Sequence, residues 1–118
     1  MFGFLRGGTP RIAPAEAVAK VKAKEAVLLD IREPMELRAT GRAQGAIHVP
    51  MAAFAMRCDP ASPECLPELK NGKPIILYCA TGARSGMAGS MLTRMGHAQV
   101  FNLGGLSDWM AGGGQILR

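Results

Sequence analysis

Pro74-Ile75-Ile76-Leu77-Tyr78-Cys79-Ala80-Thr81-Gly82-Ala83-Arg84-Ser85 runs from an apolar, β-branched segment into a short polar turn. The first five residues predict a buried strand. Gly86 to Met95, which follow, have helical spacing. A cysteine therefore ends a strand, and a glycine-containing turn leads from it into a helix. In open α/β sheets the crevice at such a strand end is where ligands bind. A helix N-terminus offers unpaired N–H groups and a positive dipole end, which suit an anion. The anion can be the thiolate of Cys79 itself, whose pKa such positions lower. Arg84 adds a fixed positive charge. A lone cysteine at a strand end is most often an inert core residue. Strand, cysteine, glycine turn, arginine, serine and helix in one window favour a nucleophile in an anion cradle built from Ala80, Thr81, Gly82, Ala83, Arg84 and Ser85.

Outward from this stretch, apolar runs alternate with helical segments. Thr9 to Ile12 suit a short edge strand, Pro14 the first turn of a helix, and Ala26 to Ile31 a buried parallel strand stopped at Pro34. A short helix at Met35 to Ala39 ends at Gly41. A strand near Gly45 to Pro50 and helical turns over 51–57 follow. Asp59 to Pro63 is a loop, with Ser62 poised as a cap before a short helix to Leu69. Gln99 to Asn102 is a further strand. A last helix carries Trp109 and breaks at Gly112-Gly113-Gly114. The class is α/β, one domain with a mainly parallel central sheet and helices on both faces. Residues 1–8 read as a flexible end, 9–114 as the domain and 115–118 as a tail.

With 118 residues the chain holds one core. Its 14 basic and 9 acidic residues leave a net charge of +5, but the basic residues are scattered. Six aromatics, none interleaved with Lys20, Lys22 and Lys24, speak against a nucleic-acid surface. The positive balance suits small anions. No stretch has the length of a membrane span. Met1 to Arg6 lack the apolar core expected of a signal peptide. Three cysteines, an odd number, argue against a disulfide scaffold and for a reducing, cytoplasmic setting. Cys58 and Cys65 lack zinc-site spacing. They read as an inert pair, with a resolving cysteine as the alternative. Asp30 and Arg32 stand at the tip of the neighbouring strand, where Asp30 can support the rim. Arg32 and Glu36 have the spacing of a helical ion pair. Met87, Met91 and Met95 are expected on one buried face, and His48 and His97 have no evident partner.

Four segments in order resemble the rhodanese-like (sulfurtransferase) family. They are Leu28 to Glu36, Gly41 to Pro50, Ile76 to Ser85, and Val100 to Gly105 with Trp109 and Gly112. Single pieces are weak, but four in sequence are specific. Arg42 stands where the family usually has histidine, and Ala80 where thiosulfate-using members often carry arginine. The resemblance implies a Cys79 persulfide, loaded from a small anionic donor such as thiosulfate or a persulfide. A thiol or cyanide acceptor, or a sulfur-relay protein, then unloads it. It implies no metal and no organic cofactor. Two other readings share these residues: a non-catalytic binding module of the same fold, and a cysteine-dependent phosphatase. Related phosphatases place five residues between cysteine and arginine, whereas four separate Cys79 from Arg84.

Overall fold

The structure, a computed structural model, describes residues 8–118. Of the end expected to be flexible, residues 1–7 lie outside the described residues. Nine elements matter for the site. Helix α1 is Pro14–Lys22, strand β1 Val27–Asp30, helix α2 Pro34–Thr40, and strands β2 and β3 are Arg42–Ala43 and Ala46–His48. Helix α3 is Phe54–Cys58, strand β4 Ile75–Cys79, helix α4 Ala83–Arg94 and strand β5 Val100–Gly105. Helix α5, Leu106–Ala111, and strand β6, Ile116–Leu117, complete the chain.

The central sheet has the order β3-β1-β4-β5, with every pairing parallel. Arg11 extends it by one parallel bridge to Asn102. Side chains alternate across the sheet with a period of two. Leu29, Ile31, Ile75, Leu77 and Cys79 face one way, onto Phe54 and Cys58 of α3 and Ala88 and Leu92 of α4. Leu28, Ile76, Tyr78 and Leu103 face the other way, onto Ala17 and Val18 of α1 and Trp109 of α5. Both faces of β4 are buried, which is why its sequence is one apolar run rather than an alternating one. This is the expected α/β fold, a central parallel sheet flanked by helices. No helix among the described residues is long and apolar enough to cross a membrane.

Several local expectations change. Helix α4 begins at Ala83, three residues before Gly86, because Gly82 turns the backbone at φ +105° and lets the helix start at once. The helix expected up to Leu69 is only a 3-10 turn at Pro67–Leu69, and Ser62 Oγ accepts the Glu64 N–H within a turn. Strand β5 runs to Gly105, with an irregularity where Leu77 and Tyr78 of β4 face Asn102 and Gly104. Residues 116–117, read as part of a tail, form an antiparallel pair with β2, and Gln115 O accepts the Trp109 indole N–H at 2.7 Å. Met87 is 72% exposed, whereas Met91 and Met95 pack against the core. Residues four apart advance by about 40° on a helix, so the three methionines spiral off the face made by Ser85, Ala88, Gly89 and Leu92.

Candidate functional site

Cys79 is the last residue of β4, and its side chain lies under the turn that follows. Gly82 N–H donates to Cys79 Sγ at 3.0 Å, and Ser85 Oγ lies 3.5 Å from the same sulfur. Ala80, Thr81 and Ala83 are exposed, Arg84 is half-buried, and Gly82 and Ser85 are buried. Because α4 starts at Ala83, Arg84 and Ser85 belong to its first turn, where backbone N–H groups have no helical acceptor. Burial pushes the Cys79 thiol up. The Ser85 hydroxyl and the N–H groups of Ser85, Gly82 and Thr81 oppose it, and the net effect is a lowered pKa. The arrangement supplies a stabilised thiolate with its hydrogen-bond donors already in place.

The loop needs room. A Cβ on Gly105, the last residue of β5, would overlap the Ala80 carbonyl oxygen. A Cβ on Gly82 would come within 3.2 Å of the Gly104 Cα. Glycines on β5 and in the loop therefore let the two backbones approach closely.

Asn102, on β5, ties the loop down and was not singled out by the sequence reading. Its Oδ1 accepts from Ser85 Oγ at 2.7 Å and from Gly104 N–H at 2.9 Å, and its Nδ2 donates to Gly82 O at 3.0 Å. It is buried, so each of these bonds replaces one that water would otherwise make. The available signal was an amide side chain inside the otherwise apolar and glycine-containing segment Val100–Gly105.

Arg84 is engaged. Its Nη1 and Nη2 donate to Glu36 Oε2 and Oε1, both at 2.8 Å, in a bidentate pair. The Arg84 guanidinium holds the Glu36 carboxyl down at about 2. Partial burial opposes this, and the Glu33 N–H assists it at 2.8 Å. Arg84 is shifted upward, first by the Glu36 bond and further by the Cys79 thiolate. The expected Arg32–Glu36 ion pair is thus corrected: Glu36 turns across the crevice to α4, and Arg32 pairs elsewhere.

Arg32 pairs with Asp30, with Nη2 to Oδ2 at 2.7 Å and Nε to Oδ1 at 3.0 Å. Its remaining donors reach Thr40 Oγ1 and Gly41 O, both at 2.8 Å. The Tyr78 hydroxyl donates to Asp30 Oδ2 and accepts the Ala43 N–H at 3.0 Å. Burial and the Asp30 carboxylate push the Tyr78 phenol up. This network joins β1, α2, β2 and β4. Asp30 and Tyr78 are register partners and share the sheet face opposite Cys79. Asp30 and Arg32 therefore sit in a structural cluster, not in contact with the thiol.

Cys58 and Cys65 are buried free thiols. Burial, helped by Cys65, pushes Cys58 up to about 12. Both histidines have partners that sequence reading missed: His48 Nε2 lies 2.6 Å from Arg32 O and His97 Nε2 2.8 Å from Cys58 O. A carbonyl only accepts, so each Nε2 carries the proton.

A family model described as "Rhodanese-like domain" matches residues 13–112. An uncharacterized Bacillus subtilis protein, YqhL, is 34% identical over 79% of this chain, which spans 65% of that protein's length. The Escherichia coli thiosulfate sulfurtransferase PspE is 35% identical over 68% of this chain and 70% of its own. A solved structure from Rhodopseudomonas palustris superposes with a TM-score of 0.80 and 30% identity. It covers 92% of this chain and 85% of that one, and it is described as a protein of unknown function and possible tyrosine phosphatase. The chain belongs to the rhodanese-like domain family.

Proposed function

We propose that the protein is a sulfurtransferase that carries sulfane sulfur on Cys79. The thiolate attacks the outer sulfur of a donor such as thiosulfate or a persulfide. A bond forms from Sγ to that sulfur, and the donor's S–S bond breaks. Sulfite, or a thiolate, leaves with the electron pair. Cys79 is left as Cys–S–S⁻, and the N–H groups of Thr81, Gly82 and Ser85 stabilise the charge on the new terminal sulfur. An acceptor nucleophile (a thiol, cyanide in an assay, or a sulfur-relay protein) then takes the terminal sulfur and restores the thiolate. The observation that carries this reading is the Gly82 N–H on Cys79 Sγ at 3.0 Å, on a thiol whose pKa is lowered. The name of the E. coli relative supports the same chemistry. Three free thiols suit a reducing compartment such as the cytoplasm.

The description of the R. palustris structure raises phosphate-ester hydrolysis as a second reading. Only four residues separate Cys79 from Arg84, and Ala80 to Ala83 include no carboxylate. The carboxyl nearest Arg84, Glu36, is held at about 2 and has no proton to give a leaving group at neutral pH. These features favour sulfur over phosphate.

The test is direct. Incubation with thiosulfate or glutathione persulfide should add one sulfur atom to the intact mass, and Cys79→Ser should abolish the gain. Cyanide should release the sulfur as thiocyanate. Absence of loading by either donor, or aryl phosphate hydrolysis that vanishes in Cys79→Ser, would overturn the reading.

A further inference from the structure

We infer that Glu36 is a specificity-determining residue: by neutralising Arg84 it sets the site for monoanionic sulfane donors with an apolar carrier, of the thiosulfonate class, over the thiosulfate dianion. The inference rests on the sulfurtransferase reading above. From Cys79 to Gly89, Arg84 is the sole charged side chain in the sequence. Its guanidinium makes two 2.8 Å bonds to Glu36, so the charge beside the anion seat is already balanced. Of the other guanidinium groups, Arg32 is held by Asp30 in the cluster on the opposite face of the sheet. Arg11 stands on the Gly104 side of the loop, where it donates to Leu103 O at 3.3 Å. What faces a donor on the Arg84 side of the loop is a set of N–H dipoles, enough for one developing negative charge at a terminal sulfur but not matched to a dianion.

The neighbours of the pair along its two helices are apolar and exposed. Met35 precedes Glu36 and is 71% exposed; Met87 follows Arg84 by one helical turn and is 72% exposed. Each half of the ion pair thus has an exposed methionine close to it along its own helix, and Ala80 and Ala83 are exposed in and after the loop. Methionine is a flexible, polarizable contact for an apolar or aromatic carrier. In the loading step Cys79 Sγ bonds to the outer sulfur of R–SO₂–S⁻. The bond between the two donor sulfurs breaks, and a sulfinate leaves with the electron pair. Two negative charges enter the step and two leave it.

The test compares benzenethiosulfonate and thiosulfate as donors for Cys79 loading in the unmodified chain and in Glu36→Gln. Removing the carboxylate charge should free Arg84 and raise kcat/KM for thiosulfate about fivefold to tenfold, with less than about a twofold change for benzenethiosulfonate. An unchanged or lowered thiosulfate value in a variant that still turns over benzenethiosulfonate overturns the inference. Because Glu36 also accepts the Glu33 N–H at the start of α2, the variant can suffer structurally, so a second readout uses the unmodified chain. The unmodified chain should load from benzenethiosulfonate with a higher kcat/KM than from thiosulfate, each taken relative to the donor's rate with a free thiol. A higher relative value for thiosulfate overturns the role of Glu36, whereas loading by neither donor overturns the sulfurtransferase reading itself.

Discussion

The Ser85 hydroxyl stands 2.7 Å from Asn102 Oδ1 and 3.5 Å from Cys79 Sγ, with a single proton to share between them. Asn102 thereby sets the rotamer of Ser85 and limits how much of that proton the thiolate receives. Asn102→Asp keeps the shape and adds a carboxylate behind the serine. A like charge disfavours the thiolate, so the Cys79 pKa should rise by about one unit or more. The alkylation rate of Cys79 against pH reads this directly. An unshifted profile would mean that Asn102 braces the backbone only.

Thiol chemistry should be selective. Cys79 is fully buried but lowered in pKa, while burial pushes Cys58 up to about 12. At neutral pH, limiting iodoacetamide should give one adduct, on Cys79. Its rate should fall as pH drops through the lowered pKa, because the ionised fraction falls there. Peptide mapping checks the site; a first adduct on Cys58 would contradict the assignment.

Gly105→Ala places a methyl group against the Ala80 carbonyl, with no backbone strain of its own since φ is −120°. The loop must shift to admit it. Displacing a reacting group by about 1 Å can cost a hundredfold, so kcat/KM for sulfur transfer should fall about tenfold to a hundredfold. Thermal unfolding should show a loss of about 1–3 kcal/mol from overpacking.

Tyr78→Phe removes the acceptor of the buried Ala43 N–H and one donor to Asp30. The cost should be about 1–3 kcal/mol in chemical denaturation. Asp30→Ala strands the buried Arg32 charge and should cost more, about 3–5 kcal/mol. Neither change should move the alkylation profile of Cys79.

The Glu36–Arg84 pair predicts a pH window. Glu36 is lowered from 4.5 to about 2, so its contribution to stability is complete above the ordinary carboxylate value and is lost as pH falls towards 2. Both partners are about a third exposed, so solvent screens the pair and the effect is small. The difference in urea midpoint between the unmodified chain and Glu36→Gln should shrink as pH is lowered from 5 to about 2.

Local patterns foretold most of the elements. β1 and β4 are apolar runs buried almost throughout, and Pro14 and Gly41 mark where helices start or stop. The approximate place of Cys79 and its turn followed from those signals. What escaped were relationships across long separations. Glu36 and Arg84 are 48 residues apart, and Ser85 and Asn102 are 17 apart. No periodicity encodes such pairs; they exist only once β1, β4 and β5 are side by side. Arg32 is assigned to Glu36 by a separation of four, which is helical spacing, yet the bend before α2 turns Arg32 back onto Asp30. β6 escaped because two residues cannot express a period.

Tyr78 and Cys79 are successive acids in one strand, shifted in opposite directions: the phenol up by burial and the Asp30 carboxylate, the thiol down by the Ser85 hydroxyl and backbone N–H groups that together outweigh its burial. The sheet is a partition between two electrical environments. A charge altered on the Asp30 side has the thickness of packed backbone between it and the sulfur. Substitutions on the two sides should therefore combine nearly additively. Under the proposed sulfur transfer, donor preference can drift through residues around the loop while the cluster that holds β1 to β4 stays as it is. One scaffold can thus be retuned for a different sulfur source without being rebuilt.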